Sequence, residues 1–255
     1  MKVDAIVLAG SPNQGPLKEC SPAAHEALIP IGKRLMVDYV VEALKSSSNV
    51  NNIIIVGPVE LEAYYKGQPG ITLVEAGDDA VESLSKGLKR VSTPGHVLAV
   101  TSDIPLLTPE AIEAFMQKCA ALNADLFYPI IPKKINDQRY PNVMRTYVTL
   151  KEGTFTGGNI FLFNPRIMPG SAAIGAELVK LRKSPFALCK QIGIIFIVKF
   201  LLKLLTIREV EARFSKLLKL KGRAVIIEYP EIGIDVDKPS DLELVYRALI
   251  KEKIC

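Results

Sequence analysis

"VLAVTSDIPLLTPEAI", residues 97–112, is the stretch on which the fold turns. It opens with a short apolar run rich in β-branched residues, the composition of a strand buried on both faces. Asp103 follows where that run ends, and Pro105 fixes the turn. Thr108 is a good helix N-cap, and Pro109 suits a first helical position, because a proline there loses no hydrogen bond. A strand, an acidic turn and a capped helix in that order make one β-α unit.

Working outward, the runs "VDAIVLA" (3–9), "NIIIVG" (52–57) and "ITLVEA" (71–76) have the same character. Helical patterns lie between them at 35–47, 59–67 and 79–91, and another fills 108–122. Further strands are predicted at 125–131, 143–149 and 159–164, and a last helix over 238–253, entered through Lys238-Pro239. Strands alternating with helices imply an α/β fold with a doubly wound, mostly parallel (mixed) sheet, Rossmann-like. Such sheets bind ligands beyond the carboxyl ends of their strands. The expected organisation is a single domain over 1–255, with a basic, apolar, helical insertion at 176–222 that returns to the sheet at "RAVIIEYP".

The formal net charge of +5 conceals an asymmetry, because residues 180–223 hold twelve Lys and Arg against two Glu. A basic block on a mildly acidic body suits a phosphate-bearing or membrane partner, or else is a solvated face. Nucleic acid is not expected. Cys20, Cys119, Cys189 and Cys255 are scattered without a CxxC pair, so neither a disulfide framework nor a zinc site is indicated. "MKVDAIVLAG" is a first strand rather than a signal peptide, and the chain reads as cytoplasmic. His25 and His96 show no partner pattern, and His96 is read as structural.

Two places carry candidate chemistry. After strand 1, Gly10, Ser11, Asn13, Gln14 and Gly15 form a loop of small and polar residues whose N–H groups suit a phosphate. It has neither the ending of a P-loop nor the spaced glycines of a dinucleotide fingerprint. Asp103, at the carboxyl end of a buried strand, is placed either to hold Mg²⁺ or simply to form the turn.

Taken together, "IVLAG" (6–10), "ALIPIGKRLMVDYVVEAL" (27–44), "VTSDIPLLTPEAI" (100–112), "FTGGNIFLF" (155–163) and "IDVDKPSDLEL" (234–244) resemble the MobA-like nucleotidyltransferases. They follow that group's order and rough spacing. The resemblance covers the chain apart from about 170–222 and does not specify a substrate. It implies a Mg²⁺-dependent transfer of NMP from an NTP to a phosphorylated acceptor, with release of pyrophosphate. The nucleotide would lie on Leu8, Ala9, Gly10 and Ser11, with Ser83 and Ser102 as further contacts. Asp103 would ligate the metal, with Asp237 as its second ligand and Asp235 the runner-up. Lys18 would serve catalysis, and Thr156, Gly157, Gly158 and Asn159 would face the acceptor.

The chain departs from the group's pattern at three cationic positions. Ser11 replaces a second glycine and no Arg follows it, Glu26 stands where a Lys is usual, and Ala80 where the cytidylyltransferases have an Arg. Each charged phosphate contact is worth roughly 1.5–3 kcal/mol. Lys18, Lys33, Arg34 or the basic block would have to compensate. A nucleotide-binding protein without transferase activity and a nucleotide-sugar-dependent glycosyltransferase are the alternatives.

Ile192–Leu205 is nearly all apolar but interrupted by Lys199 and Lys203, and it falls short of the ~20 residues a bilayer span needs. Two readings stand for 186–223. It is a buried or dimerising helix, or it touches anionic membrane peripherally, which would make the acceptor a phosphorylated lipid.

Overall fold

Val3–Leu8 forms strand β1, and its neighbours explain why all of it but Leu8 is buried. It pairs in parallel with β4 (Val50–Gly57) on one side and β6 (Val97–Thr101) on the other. Val3, Ala5 and Val7 project into one apolar cluster and Ile6 into a second. A strand covered on both faces has no use for alternating polarity, so the run is continuously apolar. The structure, a computed structural model, describes residues 1–141, 143–168 and 194–251.

The order along the chain continues the β-α rhythm. After β1 come a two-stranded hairpin, β2 (Pro30–Ile31) and β3 (Arg34–Leu35), then α1 (Met36–Ser46) and β4. Next are α2 (Glu62–Tyr65), β5 (Ile71–Glu75), α3 (Ala80–Leu88), β6 and α4 (Pro109–Ala120). The second half has β7 (Leu126–Pro132), α5 (Lys133–Arg139), β8 (Val148–Leu150), β9 (Gly153–Gly157) and β10 (Ile160–Phe163). It closes with α6 (Ile194–Leu201), α7 (Ile207–Leu218), β11 (Gly222–Ile226) and α8 (Pro239–Lys251).

Nine strands make one mixed sheet, in the order β5-β4-β1-β6-β10-β7-β9-β8 with β11 added to β7. The parallel half is β5, β4, β1 and β6, and β10 enters antiparallel between β6 and β7. α1 and α4 cover one face through Val37, Val40, Val41, Leu44, Ile112 and Phe115. α3 covers the other through Leu84 and Leu88. The expected fold class holds, and the expected strands and helices fall close to their places. Some elements depart from expectation. The β2–β3 hairpin, β9 and α5 are additional, and in place of the strand predicted at 143–149 stands the three-residue Val148–Leu150.

The caps act as the residue types require. Thr108 accepts from the Ala111 N–H at 3.2 Å, and the Asp38 carboxylate accepts from the Leu35 N–H at 2.7 Å at the start of α1. His96 lies against Phe127 and bonds the Ala124 carbonyl at 3.0 Å, the structural role expected of it. Cys20 and Cys119 are free thiols; Cys189 and Cys255 lie outside the described residues.

The segment expected as an insertion at 176–222 begins outside the described residues, and its described part is α6 and α7. Phe196, Leu205, Ile207 and Val210 pack on Leu150, Phe155 and Ile130, which docks these helices on the β8–β9 hairpin. Val198, Phe200 and Leu201 of α6, with Leu202 and Leu204 just after it, are exposed. No helix among the described residues is long and apolar enough to cross a membrane.

Asp4 is the buried charge of the sheet. Its carboxylate accepts from the N–H groups of Ser92 and Thr93 at 2.7 and 2.9 Å, from the Thr93 hydroxyl at 2.6 Å and from Asn52 at 3.0 Å. Burial alone would raise its pKa, but these donors outweigh it and hold the carboxyl at about 2, against 3.8 for a free side chain. A depressed folded pKa contributes stability above the unfolded pKa and loses it as pH falls through 4 towards 2. Asp4→Asn should therefore cost about 2–3 kcal/mol at pH 7 in urea denaturation. The gap to the wild type should narrow between pH 4 and pH 3; an equal gap at pH 7 and pH 3 would refute this assignment.

Candidate active site

The site begins where β6 stops. The Ser102 N–H donates to the Leu8 carbonyl at 3.1 Å, which ties the ends of β6 and β1 together and leaves Asp103 just beyond the sheet. Opposite it runs "GIDVD", residues 233–237, in which apolar and acidic residues alternate. Ile234 and Val236 are buried under α8, while Asp235 and Asp237 face the other way. Alternation of this kind in an extended segment puts both acids on one side. A backbone bond from the Val236 N–H to the Asp103 carbonyl, 2.9 Å, fixes that side against β6. Carboxylate oxygens of Asp103, Asp235 and Asp237 consequently all lie within 4.8 Å of one another.

Three such groups oppose one another's ionisation. Burial and then the charges of Asp235 and Asp237 push the Asp103 carboxyl up to about 7, even though the Thr101 hydroxyl donates to it at 2.5 Å. Burial and the charge of Asp235 likewise raise Asp237. A cluster of carboxylate oxygens with this much mutual repulsion fits a divalent cation that prefers oxygen ligands. Asp103 and Asp237 are thus brought together as expected, with Asp235 as a third member rather than a substitute.

The loop after β1 is tied down at several points. The Ala9 N–H bonds the Val56 carbonyl at 2.7 Å, and the Leu8 carbonyl is occupied by Ser102. These bonds hold Leu8 and Ala9 at the carboxyl edge of the sheet, with the Ala9 N–H already engaged. Among the described residues, the N–H groups of Gly10 and Ser11 make no such bond. A Cβ on Gly10 would meet the Ala76 Cβ at 2.6 Å, so close packing of the loops after β1 and β5 itself demands glycine. Further on, Pro12 bridges His25, the Asn13 side chain donates to the carbonyls of Ser21 and Ala23 at 3.0 Å, and Leu17 is fully buried. The long detour is thus a packed loop. Lys18 is exposed on it and makes no contact with the aspartates among the described residues.

Two departures from the family pattern meet here. The Glu26 N–H donates to the Ser11 carbonyl at 3.1 Å, which sets the Ser11 hydroxyl beside the Glu26 carboxyl, where it favours the charged form. Burial above all, and then the charges of Asp237 and Asp235, raise the Glu26 pKa. Glu26 is therefore a fourth acid within electrostatic reach of the cluster. Ser83, a candidate contact, is buried and accepts from the Gly77 N–H at 2.9 Å, which anchors the loop leading into α3.

On the other flank Thr156–Asn159 link β9 to β10. Gly158 is held close, since a Cβ there would lie 2.6 Å from Ile232 Cγ2. The Asn159 N–H donates to the Ile232 carbonyl at 2.8 Å, and its own carbonyl accepts from the Thr101 N–H at 3.1 Å. These bonds set Asn159 beside the root of Asp103, with its side-chain Nδ2 buried and without a partner among the described residues. Next to Ile232 opens a cavity of about 450 Å³ lined by Thr108, Glu110, Arg139, Glu228, Tyr229 and Glu231 among others. Buried Glu231 accepts from Tyr140 at 3.2 Å and Arg139 at 3.1 Å through Oε1, and its Oε2 has no partner.

Sequence reasoning missed Thr101 and Arg145. The guanidinium of Arg145 pairs with Asp235, a contact with both side chains largely buried. Lys33 and Arg34, weighed as compensating cations, are exposed in the β2–β3 hairpin, where Arg34 lies 5.9 Å from the centre of the Tyr39 ring. Nothing local marks Arg145: it sits in an irregular stretch between α5 and β8, and only the tertiary fold brings it to the acids.

Residues 5–183 match the MobA-like NTP transferase domain. Among solved structures, a hypothetical transferase from Thermus thermophilus is 36% identical, with a TM-score of 0.83 over 95% of this chain and 100% of its own. A CMP:2-keto-3-deoxy-manno-octonic acid synthetase complexed with CTP is 11% identical, with a TM-score of 0.63 over 99% of this chain and 100% of its own. The 2-C-methyl-D-erythritol 4-phosphate cytidylyltransferase, also from Thermus thermophilus, is 14% identical, with a TM-score of 0.52 over 97% and 98% of the two chains. The last two likenesses carry the fold alone. No curated protein matches.

The repulsion among the acids has a measurable consequence. A carboxyl whose folded pKa is raised from 3.8 to about 7 destabilises the fold progressively as pH rises from 4 to 7. Asp103→Asn should therefore melt higher than the wild type in EDTA at pH 8, by roughly 10 °C for a chain of this size. The advantage should vanish near pH 4.5. A variant that melts lower at pH 8 would show that Asp103 is not held under like-charge strain.

Proposed function

The chain belongs to the MobA-like NTP transferase family, and from that premise we propose that it moves NMP from an NTP to a phosphorylated acceptor with Mg²⁺. The observation that carries the proposal is the carboxylate cluster of Asp103, Asp235 and Asp237 at the carboxyl end of β6. Asp103 and Asp237 would hold the metal, with Asp235 beside them. Mg²⁺ there would supply charge neutralisation on the phosphates. The free N–H groups of Gly10 and Ser11 would donate to phosphate oxygens, and Ser102 and Ser83 would frame the nucleotide side.

The acceptor would enter over Thr156, Gly157, Gly158 and Asn159. The idle Nδ2 of Asn159 is a donor awaiting an oxygen there. The neighbouring cavity carries Glu110, Glu228 and Glu231 against Arg139, so it suits the hydroxyl or amino part of an acceptor better than its phosphate. An oxygen of the acceptor phosphate would attack the α-phosphorus, forming one P–O bond as the bond to pyrophosphate breaks. The electron pair leaves with the pyrophosphate, and positioning carries the step without a covalent enzyme intermediate.

The exposed apolar side chains of α6 and the residues after it add a partner to this reading. Exposed Val198, Phe200, Leu201, Leu202 and Leu204 adjoin a chain segment with exposed Lys203, Arg208, Lys216 and Lys219. Apolar side chains with basic neighbours match an anionic bilayer surface. The appendage stands on the hairpin that leads to the acceptor loop, which favours a phosphorylated lipid among acceptor classes.

Two measurements test these proposals. Thermal stabilisation by ATP, GTP, CTP or UTP should require Mg²⁺ and be lost in Asp103→Ala. Absence of a shift with all four would exclude the NTP site and turn attention to nucleotide sugars. A shift without pyrophosphate release against any phosphorylated acceptor would leave a binding protein. In vesicle co-sedimentation, the protein should bind phosphatidylglycerol vesicles but not phosphatidylcholine ones, and Leu201→Ser/Leu202→Ser should abolish it. No binding to either would remove the membrane contact.

A further inference from the structure

Arg145 is the only cation, among the described residues, in an ion pair with a member of the carboxylate cluster. Its side chain is 13% exposed and that of Asp235 17%. One nitrogen, Nη1, is engaged with Asp235, whereas Nε is buried and has no partner among the described residues. A buried N–H with nothing to donate to is uncommon, and it marks a place where a partner belongs.

The surrounding charges say what kind of partner. Asp103, Asp235, Asp237 and Glu26 concentrate negative charge, and Arg145 is the countercharge in contact with it. A divalent cation taken up by the same carboxylates would compete with the guanidinium for the oxygens of Asp235. A released guanidinium has N–H groups in a planar fork, the geometry that fits a phosphate. Residues 143–147 around it belong to no helix or strand, so the backbone ladder does not fix its position.

We propose that Arg145 is the phosphate-binding cation of this site, held on Asp235 without metal and turned onto a substrate phosphate when a divalent cation occupies the carboxylates. This rests on the transferase reading above and deepens it. It also accounts for the cationic positions the chain lacks. Glu26 replaces a basic residue of the usual pattern, and a cation from a different part of the chain takes over the task.

Arg145→Met and Arg145→Lys test this, with folding followed by circular dichroism. Mn²⁺ binding to the full chain without nucleotide is read by electron paramagnetic resonance. Removal of the competing guanidinium should tighten it roughly tenfold in Arg145→Met, while Arg145→Lys should stay near wild type. With Mn²⁺ saturating, calorimetry then measures pyrophosphate and inorganic phosphate separately. Loss of at least tenfold for pyrophosphate assigns Arg145 to the triphosphate; the same loss confined to inorganic phosphate assigns it to the acceptor. In the affected arm Arg145→Lys should recover part of the affinity, since it keeps the charge without the fork.

Unchanged or weaker Mn²⁺ binding in Arg145→Met would overturn the proposal, as would wild-type affinity for both anions. Neither result touches the transferase reading. A wild-type protein that binds neither anion with Mn²⁺ would instead sink that reading, and with it the phosphate role of Arg145.

Discussion

The site depends on one backbone hydrogen bond, from the Val236 N–H to the Asp103 carbonyl. It joins the end of β6 to a segment more than half the chain away, and it sets the register in which Asp235 and Asp237 face Asp103. The alternation of buried Ile234 and Val236 with the two acids makes that register costly to change. A slip by one residue would bury carboxylates under α8 and expose the apolar pair. Packing beneath α8 thus sustains the electrostatic repulsion above it.

That repulsion organises the rest of the site. Asp103 and Asp237 are raised by burial and by the charge of Asp235, and Glu26 is raised by burial and the charges of Asp237 and Asp235. Without a cation this is an unfavourable arrangement, and proteins retain such arrangements at sites where a ligand relieves them. The Ser11–Glu26 pair and the Arg145–Asp235 pair are the protein's own partial remedies. The first makes two departures from the family pattern mutually compatible, because a glycine at position 11 would offer Glu26 no hydroxyl. The second supplies positive charge from a segment that the motifs do not include.

Much of the fold was legible because its signals are local. Thr108 and Pro109 announce α4, and the β-branched runs announce β1, β4, β5 and β6. β9 was not legible: "GTFTG" has a glycine at each end, and its strand character comes from pairing with β7 and β8. α5, "KKINDQR", is almost wholly polar, so it offers no apolar face to read. Asp103 was legible from its place at a strand end, and Asp237 from the motif before α8. Arg145 was not, since no periodicity or neighbour distinguishes it from the other Lys and Arg of the chain. The backbone bonds of Leu8 and Ala9 were equally invisible, because they depend on which strands flank β1.

Whether the three aspartates hold a divalent cation together with a nucleotide is the decisive point. Anomalous diffraction from crystals grown with Mn²⁺ and a non-hydrolysable NTP asks this directly. A manganese peak between Asp103 and Asp237, with triphosphate oxygens on it and the nucleotide over Gly10 and Ser11, is the predicted result. A triphosphate bound away from the aspartates, or manganese absent from them while nucleotide is present, would contradict it.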